Sequence, residues 1–180
     1  MSDTPVKRGS ILTRNVDRPS QSRGSKAKAL ELFHRGWECQ QGGDLKGAVR
    51  LYQASIAEEP TAEAHTFLGW VFSFEGRHEE AIAECKRAIA ADPTFGNPYN
   101  DIGVYLMELG RPDEAIPWLE RAMKAPRYQA PQFPHMNLAR IHEGRGDLLD
   151  AVQEFSKGLE KDPDYLPALH AVRRLQQRLN

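Results

Sequence analysis

Three features are scarce in this chain, and each scarcity removes a class of protein. Among 180 residues there are two cysteines, Cys39 and Cys85, both at apolar positions of helical patterns. Two such thiols are no disulfide framework, and they read as buried side chains in a reducing compartment. No apolar run approaches the roughly 18 residues that a membrane helix needs, and no apolar stretch opens the chain. Neither a membrane span nor a secretory leader is therefore expected, and the chain reads as cytoplasmic. Catalytic spacings are missing as well. The six histidines, at positions 34, 65, 78, 135, 142 and 170, form no HExxH pair, and no glycine-rich loop follows a strand. No serine, cysteine or histidine arrangement marks a nucleophile. The expectation is a protein that is not an enzyme and uses neither cofactor nor metal.

What is present is an ordinary globular composition, 40% hydrophobic and 27% charged. The net charge of −1 hides an asymmetry. Residues 1–26 hold six basic residues (Lys7, Arg8, Arg14, Arg18, Arg23, Lys26) against Asp3 and Asp17, so they carry +4 and the remainder −5. This segment is rich in Ser, Pro and Gly, and only Val6, Ile11, Leu12 and Val16 could pack. It is expected to be a disordered basic tail, because so little apolar surface cannot offset the entropy of ordering. Six dispersed cations without aromatics make no nucleic-acid footprint, so no nucleic-acid partner is expected. A tether through residues 1–26 is kept only as a third reading.

From residue 27 onward the chain repeats itself. Residues 62–93 carry two amphipathic helical patterns separated by Gly76-Arg77-His78 and closed by Asp92-Pro93. The turn glycine recurs as Gly43, Gly76, Gly110 and Gly146, at steps of 33, 34 and 36 residues. A small residue of the first helix recurs as Gly36, Gly69, Gly103 and Ala139. In the second helix a small residue stands at Ala48, Ala81, Ala115 and Ala151, and another at Ser55, Ala88, Ala122 and Gly158. A larger one lies between them at Tyr52, Cys85, Leu119 and Phe155. Prolines 60, 93, 126 and 163 close the four units. A helix–turn–helix unit at this period means a solenoid, since one hairpin cannot bury its apolar face alone.

These residues resemble the tetratricopeptide repeat (TPR) family over about residues 29–163. The resemblance implies an all-α fold, a right-handed α-solenoid of four repeats over 27–163 with a C-terminal capping helix over 164–180. One position departs from the family pattern, where an aromatic is common and this chain has Leu32, His65, Tyr99 and His135. In such a superhelix the first helix of each repeat lines the hollow. The peptide- or partner-binding candidates are then Phe33, Trp37, Trp70, Phe74, Asn100, Asn137 and Arg140, and the same rule adds Thr66 and Met136. Trp37 and Trp70 occupy equivalent positions and are expected side by side, with apolar partner side chains on them and the polar residues holding its backbone or an acid. The lysine and asparagine clamp by which some family members hold a C-terminal carboxylate is not seen.

The function implied is a protein–protein interaction adaptor or scaffold that binds a peptide or partner helix in its concave groove. The alternative is a structural or assembly subunit that binds through its convex face or helix ends, self-associating as a homo-oligomer. Three local expectations accompany this. Pro117 should kink its helix. Residues 125–134, APRYQAPQFP, should form a long stiff corner, either a ligand-contacting lip or a spacer. In the last helix Leu166, Leu169, Val172, Leu175 and Leu179 should face inward.

Overall fold

The computed structural model describes residues 18–179. They form nine helices: α1 (Arg18–Gln41), α2 (Leu45–Glu58), α3 (Ala62–Phe74), α4 (His78–Ala91), α5 (Asn97–Glu108), α6 (Pro112–Lys124), α7 (Gln132–Arg145), α8 (Leu148–Lys161) and α9 (Leu166–Leu179). Local chemistry sets the ends. Asp44 accepts a hydrogen bond from the Gly47 amide at 2.8 Å, and Thr61 accepts one from Ala64 at 3.2 Å, capping α2 and α3. Pro112 opens α6, where its missing donor costs nothing. Gly146 ends α7 at φ 86°, a left-handed conformation that a side chain disfavours.

Each consecutive pair forms an antiparallel hairpin, and each hairpin packs on the next. The recurring small and large residues do this work. Ala48, Ala81, Ala115 and Ala151 are fully buried, as are Tyr52, Cys85 and Leu119. A Cβ on Gly69 would stand 3.2 Å from the Ala81 carbonyl oxygen, and one on Gly103 would stand 2.5 Å from Leu119 Cδ2. In repeat two the glycine thus meets the backbone of the facing helix, and in repeats one and three it meets the side chains of Tyr52 and Leu119. α1, α3, α5 and α7 also contact one another in series, so the first helices form one continuous layer.

The position that departs from the family pattern has a packing role. His65 Nδ1 lies 2.7 Å from Glu84 Oε2, and His135 Nδ1 lies 2.8 Å from Glu154 Oε2. Each pair joins the two helices of its repeat. Arg87 and Lys157 extend them by pairing with the same glutamates. In repeat three the same place holds Tyr99 against Trp118, ring centroids 6.3 Å apart, with the Arg121 guanidinium over both rings.

Several expectations need correction. α1 begins at Arg18, so residues 18–26 belong to a helix and not to a tail; residues 1–17 of that proposed tail lie outside the described residues. Ser25 donates to the Glu58 carbonyl at 2.6 Å and so fastens this extension to α2. α6 runs as one helix through Pro117 to Lys124. α7 starts at Gln132, inside the stretch read as a corner. In α9 the inward face is Ala168, Ala171 and Leu175, with Val172 half-buried, while Leu166 and Leu169 are 64% and 41% exposed. The physical reason is size: alanines let α9 lie close against Ala151 and Phe155, and the helix turns Leu166 and Leu169 aside while Leu175 stays inside.

The backbone contact at Gly69 predicts the cost of filling it. Gly69→Leu should destabilise the fold by about 1–3 kcal/mol, read as a lower midpoint in urea. An unchanged midpoint would mean that the two helices of repeat two separate freely.

Candidate partner-binding groove

The layer of first helices carries an aromatic cluster at its N-terminal end. Phe33 of α1 meets Phe67 of α3 edge-on with centroids 5.0 Å apart, and Phe67 lies on Trp70 at 4.6 Å. Beside them Trp37 is 47% exposed. A cavity of about 400 Å³ opens here, lined by Phe33, His34, Trp37, Glu38 and Phe67. Phe33 also borders a second, largely apolar cavity of about 340 Å³ that reaches Leu30, Glu59 and Glu63. Phe67 thus lines this cavity with Trp37 and packs on Trp70, which is not part of the lining. Sequence reasoning missed Phe67, although it precedes Trp70 by three residues and so shares its helical face.

Trp70 has a second attachment. Its indole Nε1 donates to Asp101 Oδ2 at 2.5 Å, which joins α3 to α5. Burial pushes the Asp101 carboxyl up to about 7, while the bonds from Trp70 and Asn100 pull it the other way. No lysine or arginine pairs with this carboxylate among the described residues.

The remaining candidates scatter. Asn100 and Asn137 are brought together, but with each other: Asn137 Nδ2 donates to Asn100 Oδ1 at 2.9 Å, and both side chains are buried. Their expected role of holding a partner's backbone is corrected to one of joining α5 to α7. Thr66 is fully buried and donates to the Ala62 carbonyl at 2.7 Å, and Met136 is buried too. In repeats two and three one position of the expected set is displaced by a residue, with Phe67 and Asp101 in the places assigned to Thr66 and Asn100, while Trp70 keeps its place. Phe74 is 67% exposed at the last turn of α3. Arg140 is exposed and lines a separate small cavity with Glu143, Tyr165 and Arg174, away from the aromatic cluster.

The corner between repeats three and four is held down rather than free. Arg127 donates to Glu63 and Asp92, 2.7 Å each, and its guanidinium lies 4.2 Å from the centre of the Phe95 ring. Its backbone pairs with Thr94 and Gly96 in a single parallel bridge. Tyr128 sits where a Cβ on Gly96 would clash at 2.5 Å.

Asp101 gives a pH signature. A carboxyl that ionises later in the folded chain than in the unfolded one stabilises the fold most below about pH 4, where both forms are protonated. That contribution fades as pH rises toward about 7. The melting temperature of wild type should fall across this window more steeply than that of Asp101→Asn, which keeps an acceptor for Trp70. Equal slopes would show that the carboxyl is already ionised at low pH.

Two models of the tetratricopeptide repeat family match this chain, over residues 33–94 and 75–133. Small glutamine-rich tetratricopeptide repeat-containing protein 2 of Mycosarcoma maydis is 32% identical over 91 residues, which cover 50% of this chain and 26% of that protein. The chain thus spans less than a third of the length of the curated relatives it matches. Among solved structures, that of pilF from Pseudomonas aeruginosa superposes with a TM-score of 0.80 at 22% identity, covering 86% of this chain and 70% of the other. YrrB, described as a TPR protein with an unusual peptide-binding site, gives 0.64 at 19% identity over 88% and 81%. These structural likenesses speak for the fold. Together with four hairpins that carry glycine or alanine at matching positions of their first helices, the two family matches show that the chain belongs to the tetratricopeptide repeat family.

Proposed function

We propose that this protein is a non-catalytic adaptor that holds a peptide or partner helix against its layer of first helices. The observation that carries the reading is the open aromatic hollow: Trp37, half-exposed, stands beside Phe33 and Phe67 around about 400 Å³ of space. Exposed aromatics around a concavity are the groups that dominate binding energy at interfaces. YrrB, similar in fold, is described as having a peptide-binding site, which supports the same use here. The occupant is an apolar or aromatic side chain, with Glu38 in the lining to favour a basic neighbour. Arg140 and Phe74 lie apart from this hollow and would touch only a longer ligand. The free thiols suit a reducing cytoplasm: Cys85 is sealed in the core, where burial pushes its thiol well above the usual range. No described helix is long and apolar enough to cross a membrane.

A second reading, self-association through a helix end, is favoured by one observation. Leu166, Leu169 and Leu179 are exposed on the last helix. Such leucines are a ready contact surface for another copy.

Two measurements test these readings. Peptides selected from a random displayed library against the full chain should carry an aromatic or large aliphatic anchor. Trp37→Ala should weaken them by about 2 kcal/mol, roughly thirtyfold in Kd, with far-UV dichroism unchanged. Equal affinity for wild type and variant would remove the groove reading. In sedimentation equilibrium, a dimer that dissociates on Leu166→Glu with Leu169→Glu would support the second reading, and a wild-type monomer would exclude it.

A further inference from the structure

The turn between α7 and α8 departs from repeats two and three at three positions, and the three meet in space. Repeats two and three follow the turn glycine with an arginine held by the acid three residues on. Arg77 donates through Nε and Nη2 to Glu80, and Arg111 does the same to Glu114, every distance 2.7 Å. The Arg77 guanidinium also lies 4.1 Å from the centre of the Phe72 ring, four residues before the glycine. In repeat four the arginine is replaced by Asp147, the acid is Asp150, and the residue at the place of Phe72 and Leu106 is His142. A built-in cation over an apolar side chain has become two carboxylates beside an imidazole.

The geometry follows the substitution. One ligand atom from each of His142, Asp147 and Asp150 lies within 4.8 Å of the others. His142 Nδ1 is buried without a hydrogen-bond partner, and its distance to Asp147 Oδ2, 3.8 Å, is too long for one. A polar ring nitrogen so placed is costly unless something binds it. Asp147 stands at the N-cap of α8 yet makes no capping bond, whereas Asp44 at the same place in repeat one caps Gly47. Its carboxylate is turned away from the helix amides. Among the described residues neither aspartate forms an ion pair with lysine or arginine.

We propose that His142, Asp147 and Asp150 bind a divalent transition-metal ion of the zinc class, which takes the place of the guanidinium. One imidazole nitrogen and two carboxylate oxygens are a donor set that such ions accept, with bonds of about 2.0–2.2 Å. Donors around a tetrahedral ion then stand roughly 3.4 Å apart. The two aspartates are exposed and free to close that small difference. The ion occupies Nδ1, relieves the repulsion between the carboxylates, and clips the end of α7 to the start of α8. A water completes the fourth position.

The test is calorimetric titration of the tag-free full chain with zinc chloride, with cobalt(II) absorption as a second probe. Wild type should bind one ion per chain and show the visible bands of a low-symmetry cobalt site. Asp147→Arg restores the arrangement of repeats two and three, so it should keep the helix content while weakening zinc at least about tenfold. Asp150→Asn and His142→Leu should weaken it likewise. Both aspartates are exposed, so their variants keep the test valid even if His142→Leu fails to fold. No heat up to about 1 mM zinc, or the same stoichiometry and affinity in Asp147→Arg and Asp150→Asn, would overturn the site.

Discussion

The architecture depends on one contact: each first helix lies against its partner at a position that holds only hydrogen or methyl, Gly36, Gly69, Gly103 or Ala139. At Gly69 the nearest atom is a main-chain carbonyl oxygen, which cannot swing aside as a side chain can. That proximity fixes the hairpin, and the buried Tyr52, Cys85, Leu119 and Phe155 then set the spacing between hairpins. The contact also determines which surface is left over. Since the first helices touch each other in series, their remaining faces become a shared wall.

Much of this was legible in the residues themselves. The turn glycines, the small positions and the closing prolines repeat strictly enough to give the number of hairpins and the place of each turn. Two kinds of information were not legible. The first is rotation about a helix axis. Thr66 and Phe67 are adjacent, and period alone does not say which of them faces outward; contact with the neighbouring repeat decides it, burying Thr66. In α9 the same ambiguity placed Leu166, Leu169 and Leu179 inside with Leu175, while close packing against α8 favoured the alanines and kept only Leu175 buried. The second is pairing between polar side chains. Asn100 and Asn137 look like ligand-holding amides one by one, and only their separation of 2.9 Å shows that each has the other as its partner. The helical start at Arg18 was missed because residues 18–26 carry few apolar side chains; Ser25 and Lys26 reach Glu58 and Glu59 of α2 instead.

Repeats are useful as internal controls. Four copies of one frame show what each position tolerates, so a departure is visible against its own siblings. His65 and His135 depart from the family's aromatic, yet each is matched by a glutamate on the facing helix, and the departure is explained within the fold. His142 is a departure of another kind, since the groups around it change with it and leave a buried ring nitrogen without a partner. The same comparison separates Trp37, exposed beside a hollow, from Trp70, whose indole is spent on Asp101.

Arg127 has a consequence for how such a molecule comes apart. A linear array of hairpins frays from its ends, one unit after another, because each touches only its neighbours. Here a strut from beyond the third hairpin reaches back to Glu63 and Asp92 of the second, with its guanidinium resting on Phe95. The middle of the chain is thereby bound into a single block that opens together. The first hairpin and the last, both lying outside the strut, are left as the segments that can peel away first.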